Sequence, residues 1–547
     1  MITRSSLLLL LLTAMVAVSC QQNAPKKQAA IRDTTHYTRE EYISLTLDSN
    51  LLNNYLARDT QYADYIRDFY RKRNFHYAWI NESGVTEQAG SFLNMMGMDA
   101  SYGIGAADSA LMMLFDTLTA QGKLRSGDTT LPHADIQLTS RFFSYANKTW
   151  GGMTSDKARD LEWYIPRKKM DMSSLLDSVV AAKPGDLAGK EPVNRQYNLL
   201  RRELARLSEL EGKTKWDTIK IDKKSYKKGD SAEAIGAVKA RLSALGDLKE
   251  NENSPLFTVA LDSALRSFQT RFGLTVNGEI NQSTLNALNV PLSKRIRQIL
   301  VNMERIRWVP VDPGGNYILV NIPEFRMHVY ENDQLAWSSN VVVGTPANST
   351  VIFSREMKYV VFSPYWNVPP GILGSEVLPG IKRSTSYLAR HNMEVAGGSG
   401  NVISPSSINW SKYTARNFPY IIRQKPGGAN SLGKVKFLFP NEYNIYLHDT
   451  PSKGLFAETK RSFSHGCIRI SEPRKLAIYL LRNDSSWTEK RIDAAMNSAK
   501  EQYVTLKYKL PVFIGYFTAW VSSSGQLNFR DDVYGHDAKL AGLLFGK

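Results

Sequence analysis

The spacing of apolar residues changes twice along this chain, and the changes divide it. From about residue 36 to 220 the spacing is helical. Tyr55, Tyr62, Tyr65, Phe69 and Tyr70 approximate one aromatic stripe, and Leu138 to Ala146 reads as a further helix. Between them, Asn74-Phe75-His76-Tyr77-Ala78-Trp79, followed by Asn81 and Gly84, predicts a short irregular link. A second helical pattern spans 223–290. Ile235, Val238, Leu242 and Leu245 precede a turn at Asn253-Ser254-Pro255. Leu261, Leu265, Phe268 and Phe272 then lie on one helix face. Asn277-Gly278 marks a tight turn, and Ser283-Thr284 opens a last short helix carrying Leu285 and Leu288.

After Arg307-Trp308 the texture becomes β. Strands are expected over 317–322, 325–330, 335–343, 357–362, 435–439 and 443–447, with a hairpin at Glu331-Asn332-Asp333-Gln334. Helices follow over 472–481 and 488–500, then strands over 503–507 and 512–521. The stretch 371–433 is rich in Ser, Asn, Gly and Arg and reads as a long insertion. Insertions of that length often serve as lids. The fold class is therefore α+β and multidomain. A mostly helical scaffold spans 36–220 and a three-helix module 223–290. A mainly β domain spans 308–547, interrupted by the 371–433 insertion.

The start of the chain has a different logic. Met-Ile-Thr-Arg precedes an apolar run from Leu7 to Val18, broken only by Thr13, and the small residue Ser19 precedes Cys20. The run is short for a membrane span and reads as an export signal over 1–19. The small-residue-then-Cys ending resembles a bacterial lipoprotein signal, which implies cleavage before Cys20 and acylation of its sulfur. Residues 20–35 then form a polar tether. The resemblance implies a periplasmic protein anchored to a membrane. Gln21 lacks the aspartate associated with inner-membrane retention in some bacteria, so the outer membrane is favoured.

Net charge is +17, a balance that suits anionic surfaces. Neither an RNA-binding aromatic signature nor zinc-finger spacing is present, so nucleic acid is not an expected partner.

The only other cysteine is Cys467, in Ser462-Phe463-Ser464-His465-Gly466-Cys467-Ile468-Arg469-Ile470. A lone cysteine is commonly a small buried hydrophobe, and this one fits a buried strand. It is also a candidate nucleophile, with His448 or His465 as base; the residues alone do not choose between them. If His448 serves, its second ring nitrogen needs an acceptor. Asp449 is nearest, and strand alternation favours its backbone carbonyl over its carboxylate. Gly466 permits close backbone approach, and the N–H groups of Gly466 and Cys467 are candidate oxyanion donors. Arg469 is a candidate for binding a substrate carboxylate, and a structural surface pairing fits it equally well. With one thiol available and no zinc-type spacing, neither a metal nor another cofactor is expected.

Two resemblances extend this reading. Gly229, Val238, Leu242, Leu245-Gly246, Phe268-Gln269, Gly273-Leu274, Gly278, Thr284 and Leu288 resemble the peptidoglycan-binding domain type 1 family. His448 followed nineteen residues later by Cys467 in Ser464-His465-Gly466-Cys467 resembles L,D-transpeptidases with a YkuD-type catalytic domain. Tyr365-Trp366-Asn367-Val368-Pro369-Pro370 and the stretch from Arg423 to Gly433 strengthen the match, and the domain order resembles the large YcbB-like branch. The resemblance implies that His448 is the base and that His465 shapes the site. The substrate-binding candidates are Ser464, His465, Arg469, Trp366 and Tyr446. The resemblance also implies a capping role for 371–433 and acylation of the thiol by carbapenems.

The implied reaction is acyl transfer on peptidoglycan stem peptides, from a tetrapeptide donor through a thioester to an acceptor amine, giving 3→3 cross-links in cell-wall biogenesis. Other cell-wall synthesis enzymes are candidate partners. The alternatives are carboxypeptidase or D-amino-acid exchange activity on the same stems, or a non-catalytic tether binding peptidoglycan.

Overall fold

A computed structural model describes residues 45–546, apart from the short stretches 59–60, 106–107, 122–127, 167–169, 184–185, 250–253 and 385. Cys20 and the 1–35 segment lie outside the described residues. No helix among the described residues is long and apolar enough to cross a membrane. The described chain forms two compact units, one of 45–90 with 109–140, the other of 91–108 with 141–546. The helical region expected as one scaffold over 36–220 is therefore shared between them.

In the first unit, helices Ser49–Leu56 and Ala63–Lys72 are separate, so the aromatic stripe is broken. Phe69 and Tyr70 are buried, and Tyr65 stays exposed. The expected irregular link is held by one carboxylate. Asp135 accepts from the N–H groups of Ala78 (3.0 Å) and Trp79 (2.8 Å) and from the Tyr70 hydroxyl (2.6 Å). The chain then turns through a hairpin, Ile80–Asn81 against Gly84–Val85. Burying a carboxylate is tolerated because its lone pairs are filled.

In the second unit, the module folds as Glu233–Leu245, Val259–Arg271 and Gln282–Leu288. Side chains fix its helix starts: Thr258 caps the second helix and Asn281 the third. It docks on the C-terminal segment. Arg295 lies over the rings of Phe272 (4.9 Å) and Phe529 (4.8 Å), which themselves pack at 5.4 Å.

The β domain is built from β1 (Tyr317–Asn321), β2 (Arg326–Glu331), β3 (Gln334–Gly344), β4 (Ile352–Phe362), β5 (Val435–Leu438), β6 (Leu447–His448), β7 (Ser462–Ser464), β8 (Ile468–Ile470) and β9 (Gln502–Gly515). Their order is β5-β6-β8-β3-β2-β1-β9-β4, and β4 pairs again with β5, so the sheet closes on itself. β7 pairs with β3. Trp163–Tyr164, from the helical region, adds in parallel to β4. Alternate residues fill the interior: Val320, Val329, Val341, Val360, Phe437, Leu447, Ile468 and Ile514 are fully buried there.

The insertion is a folded layer rather than a Gly/Ser loop. Trp366–Asn367, Met393–Ala396, Val402–Ile403 and Ile421–Gln424 form a four-stranded sheet. Leu373, Val377, Leu378, Ile381, Leu388, Val395, Ile408 and Ile422 give it a core of its own.

Candidate active site

Three short strands carry the site. β6 lies between β5 and β8, antiparallel to the first and parallel to the second. Lys436, His448 and Arg469 stand in register as one row across them. The next row, Phe437, Leu447 and Ile468, is buried in the core, so pleating sends the Lys436 row to the opposite face. Tyr446 and Cys467, one residue further along β6 and β8, fall on that outer face too.

His448 is buried. Its Nδ1 lies 2.5 Å from the backbone carbonyl of Asp449. A carbonyl only accepts, so Nδ1 carries the hydrogen and Nε2 presents a lone pair. No hydrogen-bond partner occupies Nε2 among the described residues. Burial pushes the imidazole pKa down to about 4, and the Arg469 and Lys436 cations push the same way. The ring is therefore neutral at neutral pH, with Nε2 free to accept a proton. The Asp449 carboxylate faces elsewhere: it accepts from the Lys434 N–H (2.9 Å) and the Thr450 N–H (2.7 Å), and pairs with Lys453.

Cys467 is half-buried, and it is the free cysteine of the described residues. Its thiol points to the Asn444 carbonyl at 3.6 Å. Burial raises its pKa; hydrogen bonds from Tyr446 and the Arg469 charge oppose that rise. Thiol and imidazole are thus both neutral at rest. Arg469 has no carboxylate partner among the described residues, and its charge is spent on this face.

The turn before the thiol differs from the sequence expectation at two residues. The Gly466 N–H donates to Ser464 Oγ (3.1 Å), and Ser464 Oγ donates to the Cys467 carbonyl (2.6 Å). Gly466 is therefore not an available oxyanion donor here, and Ser464, 3% exposed, braces the turn instead of reaching substrate. The Cys467 N–H has no acceptor among the described residues and stays available as a donor next to the thiol. Gly466 takes φ +115, a conformation that side chains resist. His465 is exposed beside the thiol. Trp366 stands in the four-stranded sheet formed with the insertion, paired with Gln424, and not in the sheet that carries His448. Lys436 was not legible as a site residue; only its register with His448 reveals it. No group of three or more His, Cys, Asp or Glu side chains fit to hold a metal occurs among the described residues.

Comparison with known proteins agrees with this architecture. Residues 315–488 match the family described as L,D-transpeptidase catalytic domain (YkuD), 64–204 the scaffold domain and 231–288 the "Putative peptidoglycan binding domain". The chain therefore carries a YkuD L,D-transpeptidase catalytic domain behind a scaffold and a peptidoglycan-binding domain. A Haemophilus influenzae protein named "Putative L,D-transpeptidase" is 35% identical over 254 residues, 46% of this chain and 51% of that protein. The chain thus spans about half the length of the curated relative it matches. Among solved structures, an L,D-transpeptidase from Stackebrandtia nassauensis is 12% identical, covering 54% of this chain and 98% of its own, with a TM-score of 0.23. One from Xylanimonas cellulosilytica is 12% identical, covering 54% and 100%, with a TM-score of 0.17.

Proposed function

We propose that the protein is a cysteine-dependent L,D-transpeptidase that forms 3→3 cross-links between peptidoglycan stems. The observation that carries this is the open Nε2 of His448 on the same sheet face as the Cys467 thiol. Both groups are neutral, so the proton moves as the sulfur attacks rather than beforehand. Cys467 Sγ bonds to the carbonyl carbon of the third stem residue while its proton passes to His448 Nε2. The carbonyl π pair moves onto oxygen, where the Cys467 N–H meets it. Collapse breaks the C–N bond, and His448 returns its proton to the leaving amine of D-alanine. An acceptor stem amine then attacks the thioester, gives its proton to His448, and the sulfur departs and is reprotonated. Arg469 stabilises negative charge on the sulfur.

The test is incubation of the full chain with tetrapeptide muropeptides beside Cys467→Ala. Wild type is expected to yield 3→3 dimers and the variant none; equal yield from both would sink the thiol mechanism.

The lipoprotein-like start supports a second element of the reading: Cys20 is acylated and holds the enzyme on the periplasmic side of a membrane, the outer one favoured. Cys20→Ala should move the protein from the membrane fraction to the soluble fraction. Retention of that variant in the membrane would refute the anchor.

A further inference from the structure

We propose that Thr350 and Tyr534 are positioning residues that aim the Cys467 N–H at the oxyanion. The proposal rests on the catalytic reading above. A trans peptide is planar, so its C=O and N–H point in opposite directions. The Gly466–Cys467 peptide carries the Cys467 N–H, which has no acceptor among the described residues, and Thr350 Oγ1 donates to its carbonyl at 2.8 Å. Fixing that oxygen fixes the N–H on the other side. The restraint matters because Gly466, at φ +115, is the joint of the turn with least steric guidance.

Thr350 is itself held firmly. It is 1% exposed, and its Oγ1 accepts from the Gly344 N–H at 2.9 Å. Tyr534 closes the loop from outside: its hydroxyl donates to the Gly344 carbonyl (2.7 Å) and accepts from the Thr350 N–H (3.3 Å). A Cβ on Gly344 would overlap the Asn348 carbonyl, so the loop 344–350 leaves no room for a side chain at that end. Tyr534 is anchored in turn. Its N–H donates to the Tyr516 hydroxyl (2.9 Å), which donates to Asp532 (2.7 Å). Tyr534 lies beyond residue 488, so the segment following the family-matched stretch completes the site.

Two reactions of one sulfur separate positioning from mere stability. Iodoacetamide is attacked at a saturated carbon: a C–S bond forms, iodide leaves, and no oxyanion arises. 4-Nitrophenyl acetate is attacked at a carbonyl. There a C–S bond forms, the π pair goes to oxygen, the C–O bond then breaks and nitrophenolate leaves. Both are run on the full chain, with adducts located at Cys467 by peptide mass spectrometry. Thr350→Val and Tyr534→Phe are expected to slow acylation about tenfold or more, since losing an oxyanion donor outright costs roughly 10²–10³. Alkylation and its pH profile should stay at the wild-type level, and Thr350→Ser should restore acylation. Unchanged acylation in Thr350→Val, or an equal fall in both reactions, would overturn the proposal. Ester turnover by wild type no faster than by Cys467→Ala would instead remove the catalytic reading beneath it.

Discussion

Gly433 makes room for Asp449: a Cβ built on the glycine would overlap the aspartate carboxylate. The same Asp449 supplies the carbonyl that fixes His448 Nδ1. Gly433 also takes φ +60, so a side chain there is strained twice. Gly433→Ala is expected to destabilise the fold by about 1–3 kcal/mol and to slow acylation of Cys467 more than the stability loss explains. Denaturant unfolding measured beside acylation rates checks this. Asp449→Asn keeps the carbonyl in place and should retain most activity; equal loss in both variants would mean that the carboxylate, not the carbonyl, governs the imidazole.

Lys436 and Arg469 flank His448 from opposite strands, but only Arg469 also acts on the thiol. A cation beside an imidazole opposes its protonation; a cation beside a thiol favours the thiolate. Lys436→Met should therefore raise the acid limb of the pH–acylation profile above about 4, where burial and these charges place His448, and leave the alkaline limb where it was. Arg469→Met should raise both limbs. Alkaline movement in Lys436→Met, or none in Arg469→Met, would show that the charges are not arranged this way.

The chemistry of the site was legible because it uses rare residues: Cys467 is one of two cysteines in 547 residues, and a histidine stands nineteen positions before it. Side chains that compete with the backbone hid other details. The expected strand 443–447 reduces to Leu447–His448. Asn441 accepts from the N–H groups of Tyr443 and Ile445, and Asn444 turns to φ 55, which together form a loop. Ser464 hid the Gly466 N–H in the same manner. Residue spacing also concealed long-range pairing: nothing local indicates that Trp163–Tyr164 extends the sheet at β4. In the insertion, surface Ser and Gly masked a core drawn from widely separated residues such as Leu373 and Ile422.

Asp135 governs the first unit. Asp135→Ala would leave the Ala78 and Trp79 N–H groups and the Tyr70 hydroxyl without their acceptor, at a cost of about 3 kcal/mol or more. Burial lifts its pKa to about 6, above the unfolded value near 3.8. This group's contribution to stability is then full below the unfolded value and falls as pH rises through about 6. Denaturant unfolding of the first unit, followed by hydrogen exchange of the Ala78 and Trp79 N–H groups from pH 4 to 7, should show the decline in wild type and lose it in Asp135→Ala. A pH slope identical in the two proteins would rule out Asp135 as its source.

Removing the insertion tests whether it governs access to Cys467. Cutting only 384–417 would take Leu388, Val395 and Ile408 out of a shared core and unfold what remains, so that deletion cannot separate capping from folding. The register offers a cleaner cut. Trp366 pairs with Gln424 on adjacent antiparallel strands, and Asn430 Nδ2 donates to the Pro364 carbonyl at 3.0 Å, so the two ends of the insertion lie together. Joining Tyr365 to Lys425 through two glycines removes the second sheet with its core and leaves β4 and β5 paired. Alkylation of Cys467 should persist in this variant, because its thiol, His448 and the Asp449 carbonyl all belong to the remaining sheet. Cross-linking of stems should fall at least tenfold, since a chain held in place loses far less entropy on reaction than one diffusing freely. Full cross-linking with normal alkylation would show that the insertion does not hold substrate.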